Sequence, residues 1–148
     1  MSGRIRFFRN SFKLILKRDV ARCMKQIHWK SFGQASELDE IHEASFKNPQ
    51  LIFKHSTRCS ISSMAMHRLD NQANSKKSET TIHILDLIRY RSISDEISQR
   101  YGIRHESPQL LVIYEGKCIH HDSHLDISLE RIPRVESALS DSSEESIS

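Results

Sequence analysis

Only four glycines and three prolines punctuate the 148 residues. That excludes a collagen-like or Pro/Gly-rich low-complexity chain and leaves few positions where a sharp turn can be placed. No stretch approaches the roughly 18 apolar residues that a membrane-spanning helix needs, so no transmembrane helix is predicted. The three cysteines, Cys23, Cys59 and Cys118, are odd in number and widely spaced, which excludes a disulfide framework. No CxxC pair is present, and no Cys/His spacing suits a zinc site. His83, His105, His120, His121 and His124 show no ligand periodicity either, so no metal is expected. A reducing compartment, the cytoplasm, fits this cysteine usage.

Excess charge of one sign is also missing once its location is considered. The formal net charge is +3. Residues 1–28 carry eight basic side chains against Asp19, a surplus of +7, which leaves −4 for the remainder. The basic character therefore belongs to the N-terminal stretch and gives no reason to expect nucleic-acid binding by the rest. Residues 1–23 are read as a basic extension, either disordered or preceding a true start at Met24. Their longest apolar run, Phe12-Lys13-Leu14-Ile15-Leu16, is interrupted by lysine and too short for a signal peptide. Contact of this extension with an anionic membrane surface is the lesser reading. Residues 24–139 form one domain, long enough to bury a core without disulfides or metal. Residues 140–148 are an acidic, serine-rich tail expected to be disordered.

Within the domain, periodicity predicts helix over 36–45, with Ser36 as N-cap and Asp39 as capping-box partner. Asn48-Pro49 ends it. A strand follows at 51–54, then helix over 60–71 with Ile61, Met64, Ala65 and Leu69 on one face. A polar loop leads to a strand at 80–87, a helix at 94–101 stopped by Gly102, and two strands, 110–114 and 117–121, joined by Glu115-Gly116. A last helix is expected over 126–139, with Pro133 delaying or interrupting it. Strands alternating with helices imply parallel pairing, and the closing hairpin makes the sheet mixed: an α/β fold with about four strands flanked by helices.

The chemistry concentrates at Lys54-His55-Ser56-Thr57-Arg58-Cys59-Ser60-Ile61-Ser62. A cysteine where a strand runs into a helix faces the free N–H groups and the positive end of the helix dipole. Both favour thiolate over thiol, and Arg58 and His55 are expected to add positive charge. Cys59 is therefore the candidate nucleophile. Three residues on, where a dithiol protein has its resolving cysteine, stands Ser62. Cys59 cannot close an internal disulfide there and must end as a mixed disulfide that a second thiol resolves. Ser62 either bonds the Cys59 sulfur across the first turn or faces the helix.

A strand-end cysteine opening a helix, a following βα unit and Ser107-Pro108 before a hairpin resemble a thioredoxin-like fold. The run His55-Ser56-Thr57-Arg58-Cys59-Ser60-Ile61-Ser62, with Ser107-Pro108-Gln109, Trp29 upstream and Gly116-Lys117-Cys118 downstream, is similar to the monothiol bacilliredoxin family. The resemblance implies a thiol–disulfide oxidoreductase that removes or carries bacillithiol on protein mixed disulfides. Bacillithiol would be the thiol co-substrate, and bacillithiolated client proteins the partners of a monomeric enzyme. It further implies that Pro108 is a cis-proline whose neighbour's backbone pairs with an extended substrate. Thr57, Arg58 and Ser107 would help bind the co-substrate, with Ser123 as an anion-binding group where the final helix starts. Arg58 and Lys54 together would offer a basic rim to carboxylates. The family pattern departs at Ser60, where members often have proline, a residue suited to the first helical turn. A thioredoxin-fold scaffold that holds a thiol, a metal or an iron–sulfur cluster through Cys59 without turnover is the alternative. Cys118 is expected beyond direct reach of Cys59, past the hairpin turn.

Overall fold

The computed structural model describes residues 27–76 and 80–133. The proposed extension 1–23 and tail 140–148 lie outside the described residues. Five strands, β1 (Ile27–Ser31), β2 (Gln50–His55), β3 (Thr80–Asp86), β4 (Gln109–Tyr114) and β5 (Lys117–Ser123), form one sheet in the order β1-β3-β2-β4-β5. The β1–β3 and β2–β3 pairs are parallel, and the β2–β4 and β4–β5 pairs antiparallel. This is the mixed thioredoxin-like sheet expected, with five strands in place of about four. The extra one, β1, is an edge strand in which Ile27 and Trp29 join the core while His28 and Lys30 face the other way. Its short alternation is diluted by charge, which hides it among loop-like residues.

Helices α1 (Ala35–Ala44) and α3 (Arg91–Tyr101) cover one face of the sheet. Leu38 and Ile41 of α1 and Ile93 and Ile97 of α3 pack there on Ile52, Leu85, Leu111 and Ile113. Helix α2 (Ser60–Lys76) covers the opposite face, where Ala65, Leu69 and Ala73 meet Phe53, Ile82 and Leu110. The alternation of β2 thus sends Ile52 and Lys54 toward α3 and Phe53 and His55 toward α2.

Several expected boundaries shift. Helix α1 begins one residue before Ser36, and Glu37, not Asp39, closes its first turn by accepting from the Gly33 and Gln34 N–H groups at 2.9 and 3.0 Å. Helix α3 begins at Arg91, so Ser94 is an interior, fully buried position rather than a cap. Ile61 and Met64 of α2 are exposed, because Ser62 takes the sheet-facing position in the first turn. The largest departure is the final helix. Ser123 leads only into a three-residue 3-10 turn, His124–Asp126, and no helix follows through residue 133. Residues 134–139 of that expected helix lie outside the described residues. The cause is tertiary. Arg68 donates to the Leu125 and Ile127 carbonyls, and Gln72 bonds both Ser128 Oγ and the Leu129 N–H. Ile127, Leu129 and Ile132 are thereby laid as an irregular strap over α2's core cluster.

Strand β5 is not continuous in register. Val112 opposes His120 while Ile113 opposes Cys118, so Ile119 is an extra residue, a β-bulge. Before it, Cys118 joins the core on the α1/α3 face. After it, Asp122 is buried and within 3.4 Å of Arg131 in the strap on the α2 face.

Candidate functional site

Strand β2 ends at His55, and the chain turns through Ser56, Thr57, Arg58 and Cys59 before α2 begins at Ser60. The Cys59 N–H donates to the Ser56 carbonyl at 3.1 Å, which closes this turn. The Cys59 carbonyl accepts from the Ser63 N–H at 3.3 Å, the first bond of the helix. Cys59 therefore holds the position just before the first helical residue, with the unpaired N–H groups of α2's first turn beside it. Its thiol is free and partly exposed, and Thr57 and Arg58 are exposed on the turn.

Ser62 does not join this exposed set. It is fully buried, 2.6 Å from His55 Nδ1, and its oxygen accepts from the Ser56 N–H at 3.1 Å. It faces the sheet and ties the strand end to the loop. His55 stacks on Phe53, with ring centroids 5.9 Å apart. Burial lowers the His55 pKa from its ordinary value, against an opposing pull from Asp86. Burial thus disfavours the charged imidazole, against the expectation that it adds positive charge beside Cys59.

Lys54 is a second correction. It is fully buried and points toward α3, donating to the Ser94 carbonyl at 3.1 Å and Ser98 Oγ at 2.9 Å. Burial pulls its ammonium down to about 8. It forms no part of a basic rim. The signal was present in β2, since Ile52 pointing inward obliges Lys54 to do the same.

Opposite the cysteine loop, the Ser107–Pro108 peptide is cis and Pro108 is buried. Lys54 pairs with Gln109, so one step further along the register sets Pro108 against His55. The Pro108 carbonyl accepts from the His124 N–H at 3.0 Å. The Ser107 backbone makes no hydrogen bond among the described residues. Ser123, returned to this end by β5, donates its hydroxyl to the Glu106 carboxylate. That bond holds the Glu106 carboxyl below its ordinary range, assisted by His124, Arg104 and His121. Ser123 thus already has an acidic partner, and no long helix begins there.

Cys118 sits near the opposite end, paired with Ile113 close to the hairpin turn. Its Sγ donates to the His120 carbonyl at 3.3 Å, and burial pushes its thiol up to about 11. A cavity of about 670 Å³ also lies at that far end, lined by residues such as Lys30, Glu40, Gln50 and His83. It contains none of the residues around Cys59. Among the described residues no cluster of three or more His, Cys, Asp or Glu could hold a metal, and no helix is long and apolar enough to cross a membrane.

A mixed five-stranded sheet with helices on both faces, a thiol opening a helix and a cis-proline opposite it define a thioredoxin-fold thiol–disulfide oxidoreductase. The fold recurs in a solved structure described as an oxidoreductase with a thioredoxin fold, at 21% identity and a TM-score of 0.60, over 78% of this chain and 93% of that one. It recurs in Schistosoma mansoni thioredoxin, at 12% identity and a TM-score of 0.54, over 81% and 96% of the two chains. Fasciola hepatica thioredoxin shares it at 12% identity and a TM-score of 0.52, over 78% and 97%. Residues 30–132 match the family described as monothiol bacilliredoxin BrxC. The chain belongs to the monothiol bacilliredoxin family, and its role is thiol redox chemistry.

Proposed function

We propose that this protein removes bacillithiol from protein mixed disulfides through Cys59. The observation that carries the reading is the contrast between Cys59, free and partly exposed at the start of α2, and Ser62, buried and committed to His55 and Ser56. One sulfur is available at the loop and none stands three residues on.

In the proposed cycle the Cys59 thiolate attacks the bacillithiol sulfur of a modified client. The Cys59–bacillithiol S–S bond forms as the client–bacillithiol S–S bond breaks. The electron pair leaves on the client sulfur, which takes a proton from solvent. A second bacillithiol, as thiolate, then attacks the bacillithiol sulfur held on Cys59, releasing bacillithiol disulfide and the Cys59 thiolate. Thr57 and Arg58, exposed on the turn, face the carboxylates of the thiol, and the Ser107 backbone pairs with the client chain. Ser62 serves by fixing the loop. Ser123 acts through Glu106 and the loop before Pro108. The chain works as a monomer in the cytosol.

The test is intact mass after incubation with a bacillithiol-modified client, wild type beside Cys59→Ala. A bacillithiol adduct on the wild type alone, with the client returned to free thiol, is expected. A stable adduct that a second bacillithiol does not release would recast the chain as a holder of the thiol. No adduct at all would overturn the reading.

A further inference from the structure

Lys54 is a cation that core packing does not require. Its side chain is 0% exposed, and its two acceptors are neutral: the Ser94 carbonyl and Ser98 Oγ. The acid that acts on it most, Asp95, is paired with Arg91 at 3.4 Å. A buried ammonium without a close carboxylate is costly. A methionine would fill similar space without that cost. It would also strand nothing, because Ser98 Oγ already donates to the Ser94 carbonyl at 3.2 Å. Stability therefore does not account for a lysine here.

The groups around the ammonium lead to the segment before the cis-proline. Ser94, whose carbonyl Lys54 holds, has its hydroxyl 3.2 Å from His105 Nδ1. Gln109, directly opposite Lys54 across β2 and β4, donates its amide to the Arg104 carbonyl at 3.0 Å. Its Oε1 is buried without a partner among the described residues. Directly opposed side chains on one sheet face start within about 5.5 Å of each other, so the Gln109 side chain begins beside that of Lys54. Two consecutive loop residues, Arg104 and His105, are thus fastened to the two immediate neighbours of Lys54. Three residues later comes Pro108, preceded by Ser107, whose backbone makes no hydrogen bond among the described residues.

We infer that Lys54 is a positioning residue: through Ser94 and Gln109 it fixes the 103–108 loop and so the backbone surface on which an extended client segment lies beside Cys59. The inference rests on the proposed function and adds a division of labour to it. Lys54 acts on client recognition, and the thiol itself reacts without it.

The test uses Lys54→Met and Ser94→Ala in the full chain, with two reactions. One is the rate of Cys59 with 5,5′-dithiobis(2-nitrobenzoate), which needs only an accessible thiol. The other is release of bacillithiol from a modified client protein, with KM and kcat determined separately. Lys54→Met is expected to raise the client KM about tenfold, with kcat and the small-disulfide rate held within about twofold. Ser94→Ala, a milder change that keeps the Lys54 contacts to the backbone, moves KM the same way by a smaller factor. Circular dichroism checks the fold, and Ser94→Ala carries the test if Lys54→Met unfolds. An unchanged client KM overturns the inference, as does a parallel fall of both reactions. Failure of the wild type to act on the client, while its thiol reacts with the small disulfide, overturns the proposed function and this inference with it.

Discussion

Ser62 Oγ lies 2.6 Å from His55 Nδ1, and a third group shares that oxygen. The Ser56 N–H donates to the same oxygen, so a single hydroxyl joins the strand-end imidazole to the loop backbone. The residue at the resolving position is thereby a brace between strand β2 and the cysteine loop.

Replacing Ser62 with alanine leaves both the Ser56 N–H and His55 Nδ1 without this partner. Loss of unfolding free energy of about 1–3 kcal/mol is expected, as for other stranded partly buried groups. Denaturant titration measures it. Adduct formation at Cys59 should survive at temperatures where the variant is folded, and its disappearance there would place Ser62 in the chemistry itself.

Acid should weaken the fold. Burial lowers the pKa of His55, His83 and His105 below the usual histidine value. As pH falls through about 6.5, the unfolded chain takes up protons that the folded chain refuses, so unfolding becomes easier. The urea midpoint should be lower at pH 5.5 than at pH 7.5. His83→Phe, at a position 7% exposed, should remove part of that difference. A midpoint that rises toward acid would contradict the assignment.

Lys54 works in the alkaline range. Its folded pKa is lowered from 10.5 to about 8. Between those values the unfolded chain holds the proton that the folded chain has released, so this residue's contribution to stability rises with pH. Below about 8 the fold carries the full burial cost, on the order of 3 kcal/mol before its hydrogen bonds are counted. Lys54→Met should therefore melt no lower than wild type at pH 7. Its advantage over wild type should shrink between pH 7.5 and 9.5. A constant gap across that range would mean that Lys54 does not titrate there.

Cys118 should be chemically silent in the folded protein. With its thiol pushed up to about 11, about a thousandth of it is ionised at pH 8. Iodoacetamide labelling followed by peptide mapping should find Cys59 modified and Cys118 bare until denaturant is added. Cys118→Ala should retain client turnover and lose about 1–2 kcal/mol of stability, a modest cavity cost for a small half-buried side chain. Native labelling of Cys118 at the rate of Cys59 would sink this.

The parts legible in the sequence are those set by local rules. The strand–loop–helix around Cys59 follows from an apolar run, a polar turn and helical periodicity. The hairpin follows from Glu115-Gly116, both of which take positive φ, 49° and 73°. What local rules could not supply is tertiary. Composition argues against a buried lysine, and only the alternation of β2 betrays Lys54. The brace of Ser62 depends on a loop folding back over it. The expected final helix fails because Arg68 and Gln72 of α2 satisfy backbone groups that a helix would otherwise pair.

Ile119 divides β5 into two half-strands of opposite parity. Odd-numbered and even-numbered residues exchange faces at that one position, so Cys118 and Asp122, which share even numbers, occupy different cores. Deleting the single residue would carry the carboxylate of Asp122 toward the α1/α3 core, or the sulfur of Cys118 out of it. One unpaired residue thus keeps the silent sulfur and the buried acid on separate sides of a sheet only one strand thick.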